Sequence, residues 1–303
     1  MEKGKYNILN FKLYYIIQGI NVVITYKELF KKSKEYEHKY GLTHYELLQR
    51  FMFERILERI SVSKYSENFI LKGRLLLSAM FGIDNRTTQD MDTSIKGLDI
   101  SKENMVDVLN EILSIDISYN VKFDIFDISN IREDDEYGGN KYRIIGKLEN
   151  LKVQLEMDIS TGDKVVPKEL KYGYPLLFEN RKILINTYNT ETILAEKIET
   201  ILRRGQYNAR MKDFYDVYMF LTKERKLIND RIFSEALKET LIKRESIDYY
   251  KDYKQILKGL LNYERLNQYW TNYTKKNKYA SDIKFNNIIK LLDEFLEKEK
   301  ICI

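Results

Sequence analysis

Residues 69–97 read FILKGRLLLSAMFGIDNRTTQDMDTSIKG, and the fold turns on how that stretch is read. Near its end, Asp90 and Asp92 stand two apart. In a strand, residues i and i+2 project to the same face, so these two carboxylates would lie side by side. Carboxylates held that close repel, and they need a divalent cation or a shared proton between them. An oxygen-only pair suits Mg²⁺, which takes one or two carboxylates together with substrate phosphates. Upstream, Gly73 follows the apolar Phe69, Ile70 and Leu71, as a tight turn after a buried strand would. A glycine there lets backbone N–H groups approach a phosphate closely.

Between these two features, Leu75, Leu76, Leu77, Ala79 and Met80 read as a buried helix that Gly82 ends. Beyond them, Ser101 is placed to cap a helix through Leu113, with Val106, Leu109 and Ile112 at helical spacing. The period then changes to two. Val121, Phe123 and Ile125 alternate with Lys122, Asp124 and Phe126, and Gly138-Gly139 marks a turn. Residues 142–148 and 151–159 read as paired strands joined at Glu149-Asn150. In the second of these, Leu151, Val153, Leu155, Met157 and Ile159 face one way, while Lys152, Gln154, Glu156 and Asp158 face the other. Asp158 is placed to add a carboxylate to the first pair. Glu156 competes for that role, and an ordinary solvated sheet face is the alternative.

Both ends of the chain read as helical. The only prolines, Pro167 and Pro175, fall mid-chain and leave long helices possible on either side. From about Asn7 to Ser66 the pattern is helical. Within it, residues 45–60 place Leu47, Leu48, Phe51, Arg55, Ile56 and Ile60 near one side, and Thr43 is the expected N-cap. The expected role is a buttress for the sheet. After a loop and a short strand near residues 183–185, Asn189 or Thr190 can cap a helix whose apolar stripe is Ile193, Leu194, Ile198, Ile201 and Leu202. Lys197 lies on the flank of that stripe, where a lysine can simply snorkel. The next helix carries RMKDFYD, residues 210–216. Asp213 and Asp216 share a face there, and Lys212 can pair with Asp216 at i+4. From 249 to 279 aromatic and basic residues interleave, as in Tyr250, Lys251, Tyr253, Lys254, Tyr269 and Trp270. That mixture suits either a helical core with a charged rim or stacking on nucleic acid.

The wording of residues 69–97 resembles the nucleotidyltransferase toxins of the AbiEii/AbiGii family. There, a Leu-Lys-Gly-Gly segment, a helix and an Arg-Ser/Thr-x-x-Asp-x-Asp strand open a polymerase-β-like palm. The matching residues are Leu71, Lys72 and Gly73, then Arg86, Thr87, Thr88, Asp90 and Asp92. The family's second glycine is Arg74 here, which would add a phosphate contact or crowd the turn. The resemblance extends along nearly the whole chain. It makes Asp158, in the phrase from Asp158 to Asp163, the central-strand carboxylate. It also makes Lys197, in Ala195-Glu196-Lys197, a lysine facing the active site. Arg210 and Lys212 become phosphate contacts, and Asp213 orients Lys197 or the nucleotide.

The fold implied is α+β, a polymerase-β-like nucleotidyltransferase palm with a mixed sheet. An N-terminal helical segment (1–66) and a C-terminal helical domain (187–303) would flank the palm (67–186). The activity implied is Mg²⁺-dependent transfer of a nucleotide from a nucleoside triphosphate. Asp90, Asp92 and Asp158 would hold the metal, with Gly73, Arg74, Thr87 and Thr88 on the phosphates. The resemblance further implies a toxin that aborts phage infection, paired with an antitoxin carrying a DNA-binding domain, and the tRNA acceptor end as target. Transfer to a protein or a small hydroxyl compound would use the same chemistry. A non-catalytic module that sequesters nucleotide or RNA is the rival from another class.

Composition sets the outer bounds. The chain has 303 residues with 44% hydrophobic content, enough for a sizeable core in one large or two modest domains. A net charge of +5 is compatible with an acidic partner such as RNA. A single cysteine, Cys302, rules out an internal disulfide framework and fits a reducing cytoplasm. His38 and His44 have no cysteine near them, so a zinc site is not expected. Charges interleaved through residues 1–12 do not match a signal peptide, and no apolar run is long enough to span a membrane.

Overall fold

The computed structural model describes residues 25–83, 90–117, 120–131, 138–161 and 164–299. Among them the chain forms a mixed α+β fold with a seven-stranded sheet and eleven α-helices. It divides into two compact units. One comprises Met1–Gly162 and Lys171–Thr187, and the other Asp163–Leu170 and Tyr188–Ile303. No helix among the described residues is long and apolar enough to cross a membrane.

The first unit opens with helices α1 (Tyr26–Tyr40) and α2 (His44–Val62). Each begins with a capping box, Thr25 with Glu28 and Thr43 with Glu46. These satisfy backbone N–H groups that the first helical turn leaves without partners. The sheet holds β1 (Phe69–Lys72), β2 (Asp90–Ile95), β3 (Val121–Asn130), β4 (Gly139–Leu148), β5 (Leu151–Ser160), β6 (Leu170–Pro175) and β7 (Lys182–Thr187). Their spatial order is β3-β4-β5-β2-β1-β7-β6. Strands β3, β4 and β5 form an antiparallel meander. Strand β2 then joins β5 in parallel and β1 antiparallel, and β1 joins β7 in parallel. The period-two reading of residues 121–125 and 151–159 holds, and β4 and β5 meet at Glu149-Asn150.

Two helices in this unit depart from the sequence reading. From Leu47 to Ile60, helix α2 has no exposed face, because every side chain there is buried. Its charged residues are tolerated because each meets an opposite charge or a backbone acceptor. Arg50 pairs with Glu54 at 2.9 Å, and Glu54 also accepts from Leu177 N at 3.0 Å. Arg55 reaches Glu179 at 2.6 Å, and Arg181 reaches Glu58 at 2.6 Å. Arg59 donates to the carbonyls of Ile115 and Val121. In α4 (Lys102–Leu113), Met105, Val108, Leu109 and Ile112 form the buried face, and Val106 sits at its margin. Ser101 occupies the N-cap position without making the side-chain cap. Its hydroxyl donates to Asp99 at 2.6 Å instead.

The second unit is helical after Tyr188. Its first helix, α5 (Thr190–Arg204), is capped by Asn189, whose Oδ1 accepts from Thr192 N at 2.8 Å. The predicted stripe of Ile193, Leu194, Ile198, Ile201 and Leu202 is buried. Helices α6 (Met211–Thr222), α7 (Asp230–Lys243), α8 (Ile247–Lys251), α9 (Tyr253–Asn262), α10 (Glu264–Lys276) and α11 (Phe285–Glu299) follow. Much of the aromatic content of the tail joins helices to one another. Phe214 meets Phe285 with centroids 5.0 Å apart, Tyr215 meets Tyr279 at 4.8 Å, and Trp270 meets Phe285 at 6.0 Å. Of the two readings of this stretch, these contacts favour the core.

Candidate active site

In the first unit, the strand register decides which carboxylates meet. Met91 and Thr93 of β2 are buried, which turns Asp90 and Asp92 together to the other face. Strand β5 runs parallel beside it, with Asp92 opposite Asp158 and Asp90 opposite Glu156. On the other flank, Lys72 of β1 is opposite Asp92. Asp90, Asp92 and Asp158 therefore occupy one face of two adjacent central strands. Glu156 faces the same way, but its carboxylate lies within 2.8 Å of Lys141 Nζ and 3.3 Å of Arg143 Nε. The hydrogen bond from Lys141 holds Glu156 below the usual range, as expected of an ordinary ion-paired glutamate.

Asp92 behaves differently. Burial, together with the charges of Asp90 and Asp158, pushes its carboxyl up to about 6 against the opposing pull of Arg74 and Lys72. Burial also raises Asp158, although Lys141 Nζ lies 3.1 Å from its Oδ1. Asp90 is engaged by the guanidinium of Arg74.

Gly73 is explained by the same cluster. It closes β1 with φ +68° and starts helix α3 (Gly73–Phe81). A Cβ built there would stand 1.9 Å from Asp92 Oδ2, so any side chain would collide with the carboxylate. Glycine both adopts the left-handed turn and lets Asp92 lie against the backbone. Lys72, at the N-cap position, leaves the first amides of α3 without a side-chain cap and sends Nζ to Ser160 Oγ at 3.1 Å. Uncapped amides at a helix N-terminus favour anions.

Three carboxylates of this kind form a hard, all-oxygen donor set with surplus negative charge. In residue type and register they fit a divalent cation. Among the described residues, no three acidic, histidine or cysteine side chains converge closely enough to coordinate one, since Asp90 is turned to Arg74 and Asp158 to Lys141. Arg86, Thr87 and Thr88 lie outside the described residues.

The second unit holds its own charged cluster. Lys197 on α5 extends to two carboxylates of α6, with Nζ 3.0 Å from Asp213 Oδ1 and 2.7 Å from Asp216 Oδ2. Arg210 Nε donates to Asp213 Oδ2 at 2.8 Å. Burial alone would raise the Asp213 carboxyl. The charges of Lys197, Arg210 and Lys212 outweigh it and hold the group well below the usual carboxylate range. Lys197 therefore does not snorkel to solvent; it is a fixed ammonium between two buried acids.

Two contributors are not among the predicted site residues. Asp216 is fully buried against Lys197. Its sequence signals are the i+3 spacing from Asp213 and the i+4 spacing from Lys212, and neither points to Lys197 on another helix. Lys141 was legible in principle. A two-residue turn at Glu149-Asn150 pairs Leu148 with Leu151, and counting back along both strands brings Lys141 opposite Asp158.

The model of the family described as nucleotidyl transferase AbiEii toxin, type IV TA system, matches residues 55–298. None of the curated proteins matches the chain. Two solved structures are similar in arrangement. A candidate nucleotidyltransferase from Helicobacter pylori is 17% identical, with 85% of this chain and 98% of that chain covered at a TM-score of 0.48. The protein JHP933 from Helicobacter pylori is 16% identical, with 86% and 96% covered at 0.47.

Proposed function

The chain belongs to the AbiEii nucleotidyl transferase toxin family of type IV toxin–antitoxin systems, and from that premise we propose that it moves a nucleoside monophosphate from a triphosphate to the acceptor end of tRNA in a Mg²⁺-dependent reaction. It is a transferase, and its class implies a nucleoside triphosphate substrate and an antitoxin partner. The observation that carries the reading is the gathering of Asp90, Asp92 and Asp158 beside the Gly73 turn. Asp90, Asp92 and Asp158 would hold the divalent cation. When bound, it would supply Lewis-acid stabilisation of the charge that builds on the phosphate oxygens.

The chain's own residues do the rest. The turn at Gly73 and the first amides of α3 receive phosphate oxygens, with Thr87 and Thr88 beside them in the family pattern and Arg74 standing where the family has its second glycine. The acceptor hydroxyl oxygen attacks the α-phosphorus and gives up its proton to solvent, the bond to the bridging oxygen breaks, and pyrophosphate leaves. For Lys197 we propose charge compensation on the triphosphate in the transition state. Asp213 and Asp216 fix the position of its ammonium, and Arg210 and Lys212 supply further phosphate contacts. Modified tRNA could not be charged, and translation would stop. The setting we propose is the bacterial cytoplasm during phage infection, with a DNA-binding antitoxin as the restraint.

A transfer assay tests this. Purified protein is incubated with Mg²⁺, total bacterial tRNA and each labelled nucleoside triphosphate in turn, beside the Asp90→Asn/Asp92→Asn variant. Label should enter tRNA only with both aspartates present. Unlabelled tRNA, with toxicity still dependent on the aspartates, would move the acceptor to a protein or a small hydroxyl compound. Toxicity that survives loss of both aspartates would overturn the catalytic reading.

A further inference from the structure

Two of the three carboxylates carry a cation that the chain itself supplies, and the two cations are held differently. Lys141 is shared, with Nζ 2.8 Å from Glu156 Oε2 and 3.1 Å from Asp158 Oδ1. It can release Asp158 and remain paired with Glu156. Arg74 is placed to move. It stands one residue after Gly73, in the first turn of α3, and its half-exposed side chain reaches across to Asp90. The same turn presents the uncapped amides of the helix N-terminus. A guanidinium's planar fork matches a carboxylate and a phosphate equally well, so exchanging one partner for the other keeps its hydrogen bonds.

We infer that Arg74 is an exchangeable counter-cation: it holds Asp90 while the carboxylates lack a metal, yields Asp90 to an arriving divalent cation, and then takes a phosphate of the incoming nucleotide. This deepens the proposed function and rests on its metal reading. The physical reason is competition for one carboxylate. A divalent ion at Asp90 and a guanidinium on the same oxygens repel each other, so cation binding must displace Arg74. The displaced arginine stays within reach of the helix N-terminus, where the triphosphate brings negative charge. Arg74 thus opposes the metal and favours the nucleotide, and these effects have opposite signs.

The test uses the full chain and two separate titrations. In the first, Mn²⁺ is titrated without nucleotide into wild type, Arg74→Ala, Arg74→Lys and Asp90→Asn, and free Mn²⁺ is read by electron paramagnetic resonance. Removing a charge-assisted competitor should tighten Mn²⁺ about tenfold in Arg74→Ala. Arg74→Lys should fall between Arg74→Ala and wild type, and Asp90→Asn should bind more weakly than wild type. In the second, a non-hydrolysable nucleoside triphosphate is titrated by calorimetry at saturating Mn²⁺, and Arg74→Ala should bind it roughly tenfold more weakly. A residue that merely props the turn would shift both affinities the same way. Unchanged or weaker Mn²⁺ binding in Arg74→Ala, beside a loss in Asp90→Asn, would overturn this inference and leave the metal reading standing. Unchanged nucleotide binding at saturating Mn²⁺ would also overturn it. Absence of saturable Mn²⁺ binding by wild type and Arg74→Ala alike would overturn both.

Discussion

On α2 and the segment it packs against, Arg55, Glu58, Glu179 and Arg181 alternate in sign, whereas on β2 and β5, Asp90, Asp92 and Asp158 bring like charges together. Both groups belong to the same unit, and both draw ionised side chains wholly or partly out of water. In the first, every desolvated charge is repaid by a neighbour of opposite sign, as with Arg181 bonded to both Glu58 and Glu179. In the second, Arg74 and Lys141 only partly offset the negative charge, and Asp92 is pushed towards its protonated form. The difference separates two uses of buried charge. A balanced set serves the fold. An unbalanced set carries surplus negative charge, and the proposed divalent cation rests on that surplus.

Substitutions can break or sharpen this contrast. The largest effect should come from Asp92→Asn, which lowers nucleotide transfer on the order of a thousandfold. Because Asp92 is repelled where it stands, the same change should raise the melting temperature by about 3 °C. A variant that loses both activity and stability would place Asp92 with the structural charges. In the balanced set the opposite holds. Arg55→Met leaves Glu58 and Glu179 to share Arg181 in the interior, with one negative charge uncompensated, and should cost about 3–5 kcal/mol in urea unfolding. A loss below about 1 kcal/mol there would mean that the network is not what permits the burial of α2.

The Lys197 cluster lies between these cases, since its acids are buried and paired yet assigned to phosphate chemistry. Asp213→Asn should cost about 2 kcal/mol near neutral pH. Asp213 titrates lower in the folded protein than in the unfolded chain, where its value is about 3.9. Its contribution is therefore complete above that value and fades as pH falls towards the folded one. The stability difference between wild type and variant should accordingly begin to shrink as pH falls below about 4 and keep shrinking on further acidification. The smallest effect should come from the exposed pair of Lys171 and Glu67. Lys171→Ala should change stability by less than about 1 kcal/mol, because solvent already screens both charges.

How much of this was legible in the sequence depended on how local the signal was. The turn at Gly73, the Asp90/Asp92 pair, the alternation of β5 and the stripe of α5 follow from spacing, because strand and helix periods fix which side chains share a face. Even the pairing of Lys141 with Asp158 is local in this sense, since a two-residue turn sets the register of the strands it joins. Spacing alone could not rank Asp158 above Glu156, because both face the same way. The register puts Glu156 opposite Asp90 and Asp158 opposite Asp92, and what separates them is that Glu156 is held by both Lys141 and Arg143.

Among the described residues, the sequence by itself thus determined most elements, the faces they present and which acidic residues share a face. Only the tertiary structure decided three things. It buried α2 on all sides, because Glu179 and Arg181 arrive from more than a hundred residues away to neutralise its charges. It set Arg74 on Asp90, and it locked Lys197 between Asp213 and Asp216. The physical reason is common to all three. The cost of a buried charge depends on which opposite charge stands within a few ångströms, and for residues on separate elements that distance is set by packing.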